Sequence, residues 1–342
     1  MHAIIFNKQG PPGVFEYAEM PDPHAGAGEV VIRVASTSVN RVDTLIRSGY
    51  PGLAITMPHI AGGDAAGTIS EVGDGVKDFK IGDRVVVWPL IACGTCDQCV
   101  HGKANICMNW KFIGMHRAGG YAEYVSVPAK SVLHLPDNVT FDDAASLPTA
   151  GLVAYHGLAT VSAIQPGETF FIWGGASGVG TFAIQIAKLR GATVFATAGS
   201  AEKMEVMKKC GADHVFNHHT DDVQAKVMEL TGGIGVDAII DYVGPETFPK
   251  SFAMLKKGGR MMLCGILTGR EVMVSLHMTY LQHKSILGIY LGTKEELAAL
   301  VDLVSQGKIK PVIFKDYPLR EAEEAHRVMQ ECLHYGKIIL RP

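Results

Sequence analysis

No stretch of this 342-residue chain is apolar for anything near the roughly 20 residues that a bilayer-spanning helix needs, so no membrane span is expected. The chain has no excess of positive charge. Its 31 Lys and Arg stand against 34 Asp and Glu, a formal net charge of −3, which argues against a nucleic-acid-binding or membrane-surface protein. There is no low-complexity segment, no block of like charge and no internal repeat. The opening apolar stretch Ala3-Ile4-Ile5-Phe6 gives way at once to Asn7-Lys8, too short for a secretory leader, and a cytoplasmic location is the expectation. What is present is a globular composition, 47% apolar and 19% charged, over a length that exceeds one ordinary hydrophobic core. Two domains are therefore expected.

Seven cysteines are too few and too unevenly placed for a disulfide framework. Cys210, Cys264 and Cys332 are scattered, whereas Cys93, Cys96, Cys99 and Cys107 fall within fifteen residues. Two-residue gaps let one loop wrap round an ion, and Gly94 and Gly102 relieve its turns. Four thiolates fill the tetrahedral shell of zinc and leave no position for water or substrate, so the expected ion is one structural Zn2+ per chain. An iron–sulfur cluster shares the ligand type and is the lesser alternative.

Up to about residue 150 the chain has short apolar runs at 30–34, 68–72, 83–88 and 123–127. Gly62-Gly63, Gly73-Asp74-Gly75, Gly82-Asp83 and Gly119-Gly120 separate them. This rhythm predicts a β-rich, barrel-like domain. From about residue 154 strands alternate with helices: 170–173, 194–197, 214–216, 238–241, 260–264 and 286–290 read as strands. Ala183, Ile184, Ile186 and Ala187 make an apolar helical face that Gly191 stops. Six such strands predict an α/β doubly wound parallel sheet. The tail reads as a helix at 294–307, another near 320–332 and a strand at 337–340, returning to the first domain. The expected division is 1–153 with 293–342, and 154–292.

Between the first of these strands and its helix lies Gly174-Gly175-Ala176-Ser177-Gly178-Val179-Gly180. A turn in this place aims backbone N–H groups and the positive helix end at a phosphate, so Gly175, Ser177, Gly178, Val179 and Gly180 are candidate dinucleotide contacts. An ordinary tight turn before a helix is the competing reading. Ser177 stands where the strict fingerprint has its middle glycine. The second strand ends Thr197-Ala198-Gly199-Ser200-Ala201-Glu202-Lys203, without the acid that bonds the ribose hydroxyls in NAD sites. Ser200, Lys203 and His218 suit a 2′-phosphate, hence NADP(H) rather than NAD(H), although Glu202 lies nearby and each cation alone also reads as a solvated surface residue. Val243-Gly244 and Cys264-Gly265 follow strands four and five and are expected near the nicotinamide.

Together these features resemble the medium-chain dehydrogenase/reductase superfamily, which includes zinc alcohol dehydrogenases and zinc-free quinone reductases. The resemblance covers nearly the whole chain. It runs through Pro58-His59-Ile60-Ala61-Gly62-Gly63-Asp64-Ala65-Ala66-Gly67, the cysteine lobe, Gly120-Tyr121-Ala122-Glu123-Tyr124, the glycine turn and Gly336-Lys337-Ile338-Ile339-Leu340. It implies a GroES-like β-rich catalytic domain joined to a Rossmann domain, and it places Thr149 and Lys337 among the cofactor-binding residues. It also implies a homodimer through the edge strand 286–290, and a homotetramer supported by the zinc lobe. The positions that hold a catalytic zinc in the zinc members read Asn40, Gly63 and Thr149 here, with Asp64 where those members have Glu. The alcohol proton relay is replaced by Val42 and Leu45. Asn40-Arg41-Val42-Asp43 and Ala198-Gly199-Ser200 are similar to the quinone-reductase branch.

Without the ion, a developing alkoxide loses several kcal/mol of stabilisation, about what one good hydrogen-bond donor (~3 kcal/mol) can offset only in part. A conjugated acceptor needs less help, because its charge spreads into an enolate or hydroquinone. The expected reaction is therefore hydride transfer from NADPH to a small-molecule quinone, enone, enal or enoyl thioester. Asn40, Asp43 and Tyr50 are the candidate catalytic residues. Asn40 would donate to substrate or ribose, Tyr50 would donate a hydrogen bond or proton, and Asp43 matches a supporting residue. A hydrogen-bonded packing turn is the competing reading of that segment. His59 and His116 are possible pocket residues, or ordinary structural histidines. Two rival functions stay open: a zinc-type alcohol dehydrogenase acting on alcohols, aldehydes or ketones, and an NADPH-binding protein without turnover, of a lens-crystallin-like or sensory kind.

Overall fold

The computed structural model describes residues 1–50 and 52–342. The chain divides into two compact units, Met1–Leu152 with Gly292–Pro342, and Val153–Leu291.

The first unit is organised by one long strand, Glu29–Val39, in which only Arg33 is exposed. It pairs antiparallel with Ala66–Val72, Tyr124–Pro128 and the chain's last strand, Lys337–Arg341. The resulting seven-stranded sheet continues through Arg84–Val87 to Val132–His134 on one side and to Ile313–Pro318 on the other. Val30, Ile32, Val34, Ile69, Val85, Val87, Val125, Val127 and Val132 pack as its core. These β-branched side chains fit a pleated, buried surface, which is why so glycine-punctuated a stretch forms sheet. The last strand enters with Ile338 opposite Val39 and Ile339 opposite Ser38, so Lys337 arrives beside Asn40. The cysteine lobe is a loop between two short paired strands, Leu90–Ile91 and Lys111–Phe112.

The second unit is a parallel six-stranded sheet. In sequence order its strands are Thr169–Ile172, Thr193–Ala198, His214–Asn217, Val236–Asp241, Leu255–Leu263 and Ser285–Gly288, and they lie in the order third, second, first, fourth, fifth, sixth. The order reverses beside the first strand, which is where such sheets open a crevice at the carboxyl ends. The expected doubly wound fold is therefore present, with two differences of extent. The fifth strand starts at Leu255 rather than near 260: Leu255 pairs with Val236, and the register then shifts before Arg260 meets Ala238. Lys256-Lys257-Gly258-Gly259 in that irregular stretch carries no apolar alternation to reveal it. The sixth strand ends at Gly288, two residues early. In the tail, Thr293 and Glu296 form a reciprocal capping box at the start of the helix Lys294–Ser305.

Candidate active site

The glycine turn is built by bonds from outside it. Ser177 starts the helix Gly178–Leu189, its Oγ accepting the Gly180 N–H at 3.0 Å. That Oγ lies 2.8 Å from the Tyr242 hydroxyl, which donates to Gly174 O at 2.6 Å. From the second strand, Thr197 Oγ1 accepts the Gly174 N–H and Thr197 O accepts the Gly175 N–H. Serine in place of the middle glycine is thus the helix cap, and Gly178 and Val179 supply first-turn N–H groups to the crevice side. Glycine is required at 180, where a Cβ would lie 2.5 Å from Gly175 O, and at 174, where φ is +57° and a Cβ would meet the Tyr242 hydroxyl at 2.4 Å. Backbone held this close, with a twelve-residue helix aimed from it, fits a dinucleotide pyrophosphate. Val243 and Gly244, past the fourth strand, both donate their N–H to Asp241 Oδ1, and Thr247 and Ser251 anchor the same carboxylate. Cys264 N–H reaches Asp241 O, and a Cβ on Gly265 would strike Tyr242 O at 2.5 Å.

At the end of the second strand Ser200 caps the helix Ala201–Lys209, its Oγ accepting the Lys203 N–H at 3.3 Å. The hydroxyl proton remains to be donated. His218 lies across the strand end, with its Nδ1 3.3 Å from Thr197 Oγ1. His219 stands beside it, the ring centroids 4.5 Å apart.

In the first unit the sequence-predicted residues Asn40, Thr149 and Lys337 converge on one carboxylate, Asp64. Thr149, carried on a π-helical turn at Leu147–Gly151, donates to Oδ1 at 2.6 Å. Ser38 and Asn40 Nδ2 donate to Oδ2 at 2.6 and 2.7 Å. Lys337 Nζ lies 3.5 Å from the same oxygen and donates to Asn40 Oδ1 at 2.5 Å and to Val39 O at 3.4 Å. Asp64 is wholly buried and Lys337 is 1% exposed. Burial holds the Lys337 ammonium below the ordinary lysine range, against the opposing pull of Asp64 and then Asp43. The ammonium of Lys337 is thus engaged inside this unit. The place of a metal-ligating side chain at 63 is closed as well: a Cβ on Gly63 would lie 2.6 Å from the Phe112 ring.

Asp43 does not face a pocket. It sits in the first turn of the helix Arg41–Ser48, fully buried, and its Oδ2 accepts the Asn40 N–H at 2.8 Å and the Tyr121 hydroxyl at 3.2 Å. Burial, then repulsion from Asp64, push its carboxyl up to about 7. Tyr121 in turn lies 3.1 Å from His326 Nε2. Burial, then Arg47, push His326 down to about 3, so its ring is neutral. Asp43 thereby holds the backbone of Asn40 at the start of the helix. Tyr50 follows the helix-ending Gly49 (φ +109°) and is 38% exposed. His59 bonds Gly114 O at 3.0 Å and packs on Phe6, while His116 accepts the Phe112 N–H, so both serve as structural histidines.

The four lobe cysteines come together with all ligand atoms within 4.8 Å of one another. Four of the Sγ separations are 3.5, 3.5, 3.8 and 4.0 Å. Tetrahedral bonds of about 2.3 Å put neighbouring sulfurs about 3.8 Å apart, so the cage fits a single zinc-sized ion. The N–H groups of Cys93, Cys96 and Asn109 point at the sulfurs and favour thiolate. Among the described residues no other group of three or more His, Cys, Asp or Glu could hold a metal ion.

Residues 26–137 match the alcohol dehydrogenase GroES-like domain, and residues 178–306 match the zinc-binding dehydrogenase family. The acryloyl-coenzyme A reductase of Sulfurisphaera tokodaii is 31% identical over 345 residues, covering 100% of both chains. The chain belongs to the medium-chain dehydrogenase/reductase superfamily. It is an oxidoreductase of that superfamily, acting on small molecules. The crystal structure of an NAD-dependent alcohol dehydrogenase superposes with a TM-score of 0.96 at 36% identity, covering 100% of both chains. The Escherichia coli quinone oxidoreductase complexed with NADPH superposes with a TM-score of 0.86 at 30% identity over the same coverage. No helix among the described residues is long and apolar enough to cross a membrane.

Tyr242 was out of reach of sequence reasoning in this superfamily member, and so was the pairing of Lys337 with Asn40. Tyr242 is 68 residues from the Gly174 it supports, and Lys337 is 297 from Asn40. No local pattern announces either pairing. His219 had a usable signal, since it doubles His218 immediately after the third strand.

Proposed function

We propose that this chain is an NADPH-dependent reductase of activated electrophiles (quinones, enones or enals, or enoyl thioesters) that works without a catalytic metal. The observation that carries the reading is the Asp64 centre. Where zinc members hold an ion, Asn40 and Thr149 are hydrogen-bonded to Asp64, Lys337 supplies the positive charge, and Phe112 closes the space beside Gly63. A network already satisfied and neutralised from within has no vacant ligand set to offer a cation. Bound NADPH supplies the hydride. Asn40, locked by Asp64 and Lys337 through its amide and by Asp43 through its backbone, keeps one Nδ2–H for a substrate oxygen. One neutral donor suits an oxygen whose charge is delocalised and serves a localised alkoxide poorly.

NADPH in preference to NADH is supported by Ser200, Lys203 and His218 at a strand end that lacks an acid. The names of the relatives point both ways on this. The Cys93, Cys96, Cys99 and Cys107 cage is assigned one structural zinc, whose shell the protein completes. We assign a homodimer to the open edge at Ser285–Gly288, beside which Leu276, Tyr280 and Leu281 are exposed, or a homotetramer that also uses the lobe.

The test is NADPH oxidation against a panel of quinones, enones, enoyl thioesters, aldehydes and ketones, with ethanol and benzyl alcohol offered in the reverse direction with NADP+. Turnover concentrated in the conjugated acceptors is expected. Alcohol oxidation as fast as the best reduction would overturn the reading in favour of a zinc-type alcohol dehydrogenase. Tight NADPH binding with no turnover across the panel would favour a non-catalytic binding protein.

A further inference from the structure

We propose that His218 and His219 together form a proton-dependent binding site for the cofactor's 2′-phosphomonoester, so that the preference for NADPH over NADH is set by pH. The proposal rests on the assignment of NADPH above.

The two rings are aimed at the same spot by independent anchors. The His218 N–H bonds Ala198 O at 3.1 Å, and the His219 N–H bonds Asn217 Oδ1 at 3.0 Å. Both Nε2 atoms then look onto Gly199: a Cβ there would lie 2.6 Å from His219 Nε2 and 3.2 Å from His218 Nε2. The strand end that carries a ribose-binding acid in an NAD site thus carries no side chain here, and two ring nitrogens overhang it.

One tautomer of His218 suits a phosphate. Thr197 Oγ1, which accepts the Gly174 N–H, lies 3.3 Å from His218 Nδ1 and can donate its own proton there. In that tautomer neutral His218 carries its hydrogen on Nε2, the atom facing Gly199, and is a donor without being charged. Its ring is held below the usual imidazole range by burial, then by His219 and Lys203. Asp221, on the same loop, is taken up by Lys226 at 2.7 Å and by the Asn217 N–H, and Asp222 caps the next helix through Ala225. Glu202 shares the first helical turn with Lys203 and is exposed.

The site therefore divides its work. His218 gives a neutral N–H, Ser200 a hydroxyl and Lys203 a permanent charge, while His219, beside the phosphate oxygens, takes up a proton when the dianion arrives. An imidazole is the side chain whose charge ordinarily changes between pH 5 and 8. A charge-assisted hydrogen bond to phosphate is worth about tenfold or more in affinity. NADH, lacking the phosphate, gains nothing from that proton.

Calorimetric titrations of NADPH and NADH from pH 6.5 to 8.5, in buffers of different ionisation enthalpy, test this directly. The expected result is that the ratio of NADH to NADPH dissociation constants falls about tenfold as pH rises through this range. NADPH binding should take up protons near pH 7, and NADH binding should be flat. His219→Gln should abolish the slope and the proton uptake while leaving NADH affinity unchanged, which reports an intact fold. His218→Gln should weaken NADPH at every pH and keep the slope. A parent protein that prefers NADPH equally at all pH values would overturn the proposal and leave the NADPH assignment standing. A ratio of one throughout would overturn that assignment itself.

Discussion

Lys337→Met is the sharpest perturbation of the Asp64 centre, because it keeps most of the stem volume and deletes only the ammonium. The stem is buried beside Ile338 in the last strand, and its head lies between Asn40 Oδ1, Val39 O and Asp64 Oδ2. Removing one partner of a wholly buried pair leaves the other uncompensated, at a cost of about 3–5 kcal/mol. Asp64 keeps its bonds from Ser38, Asn40 and Thr149, so the lower end is expected. For a unit of about 200 residues, 3 kcal/mol lowers the melting temperature by roughly 6–12 °C. Amide hydrogen exchange at Ile338 and Ile339, which pair with Val39 and Ser38, reads the loss locally even where the two units melt separately. Asp64→Asn alone should also destabilise. The double variant should lose less than the sum, because each single change strands a charge that the double change removes. A Lys337→Met protein within about 1 kcal/mol of the parent, or strictly additive variants, would refute the argument that Lys337 neutralises Asp64.

Two further outcomes follow from the same structure. Asp43 has its carboxyl raised to about 7 in the folded chain, so the folded state binds the extra proton, and stability should fall as pH rises from about 4 to about 7. Asp43→Asn should remove that slope, measured by denaturant unfolding across the range. Cys107→Ser should drop zinc content well below one per chain and loosen the lobe, because Val100, Ile106 and Met108 are exposed and give it no core of its own. Metal analysis, thermal unfolding and NADPH-linked turnover on one sample check this, with turnover per folded subunit expected to persist.

What could be read from the sequence was what the chain does locally. The Phe170 and Val194 runs gave their strands because buried parallel strands are continuously apolar, and the Cys93 to Cys107 spacing gave a cage because all four ligands lie on one loop. The strand start at Leu255 was hidden, since Lys256 to Gly259 break the pattern within an irregular register. The candidate catalytic segment is divided by its own helix. Asn40, Asp43 and Tyr50 are neighbours in sequence, but a helix turns Asp43 inward to Tyr121 while Tyr50 emerges beyond Gly49. The partners that give Asn40 its setting, Asp64 and Lys337, are 24 and 297 residues away.

The return of the last strand to the first has a consequence for how the chain is made. Domains generally fold as units while the polypeptide emerges, the earlier ones first. Here the earlier unit is incomplete until residues 337–341 are released, since they supply both a central strand of its sheet and the lysine at Asp64. The second unit, continuous from Val153 to Leu291, is free to close while Asp64 still waits for its counter-charge. A nascent chain stalled before residue 337 would then hold a complete parallel sheet in the second unit and, in the first, a sheet still missing the strand that carries the counter-charge of Asp64.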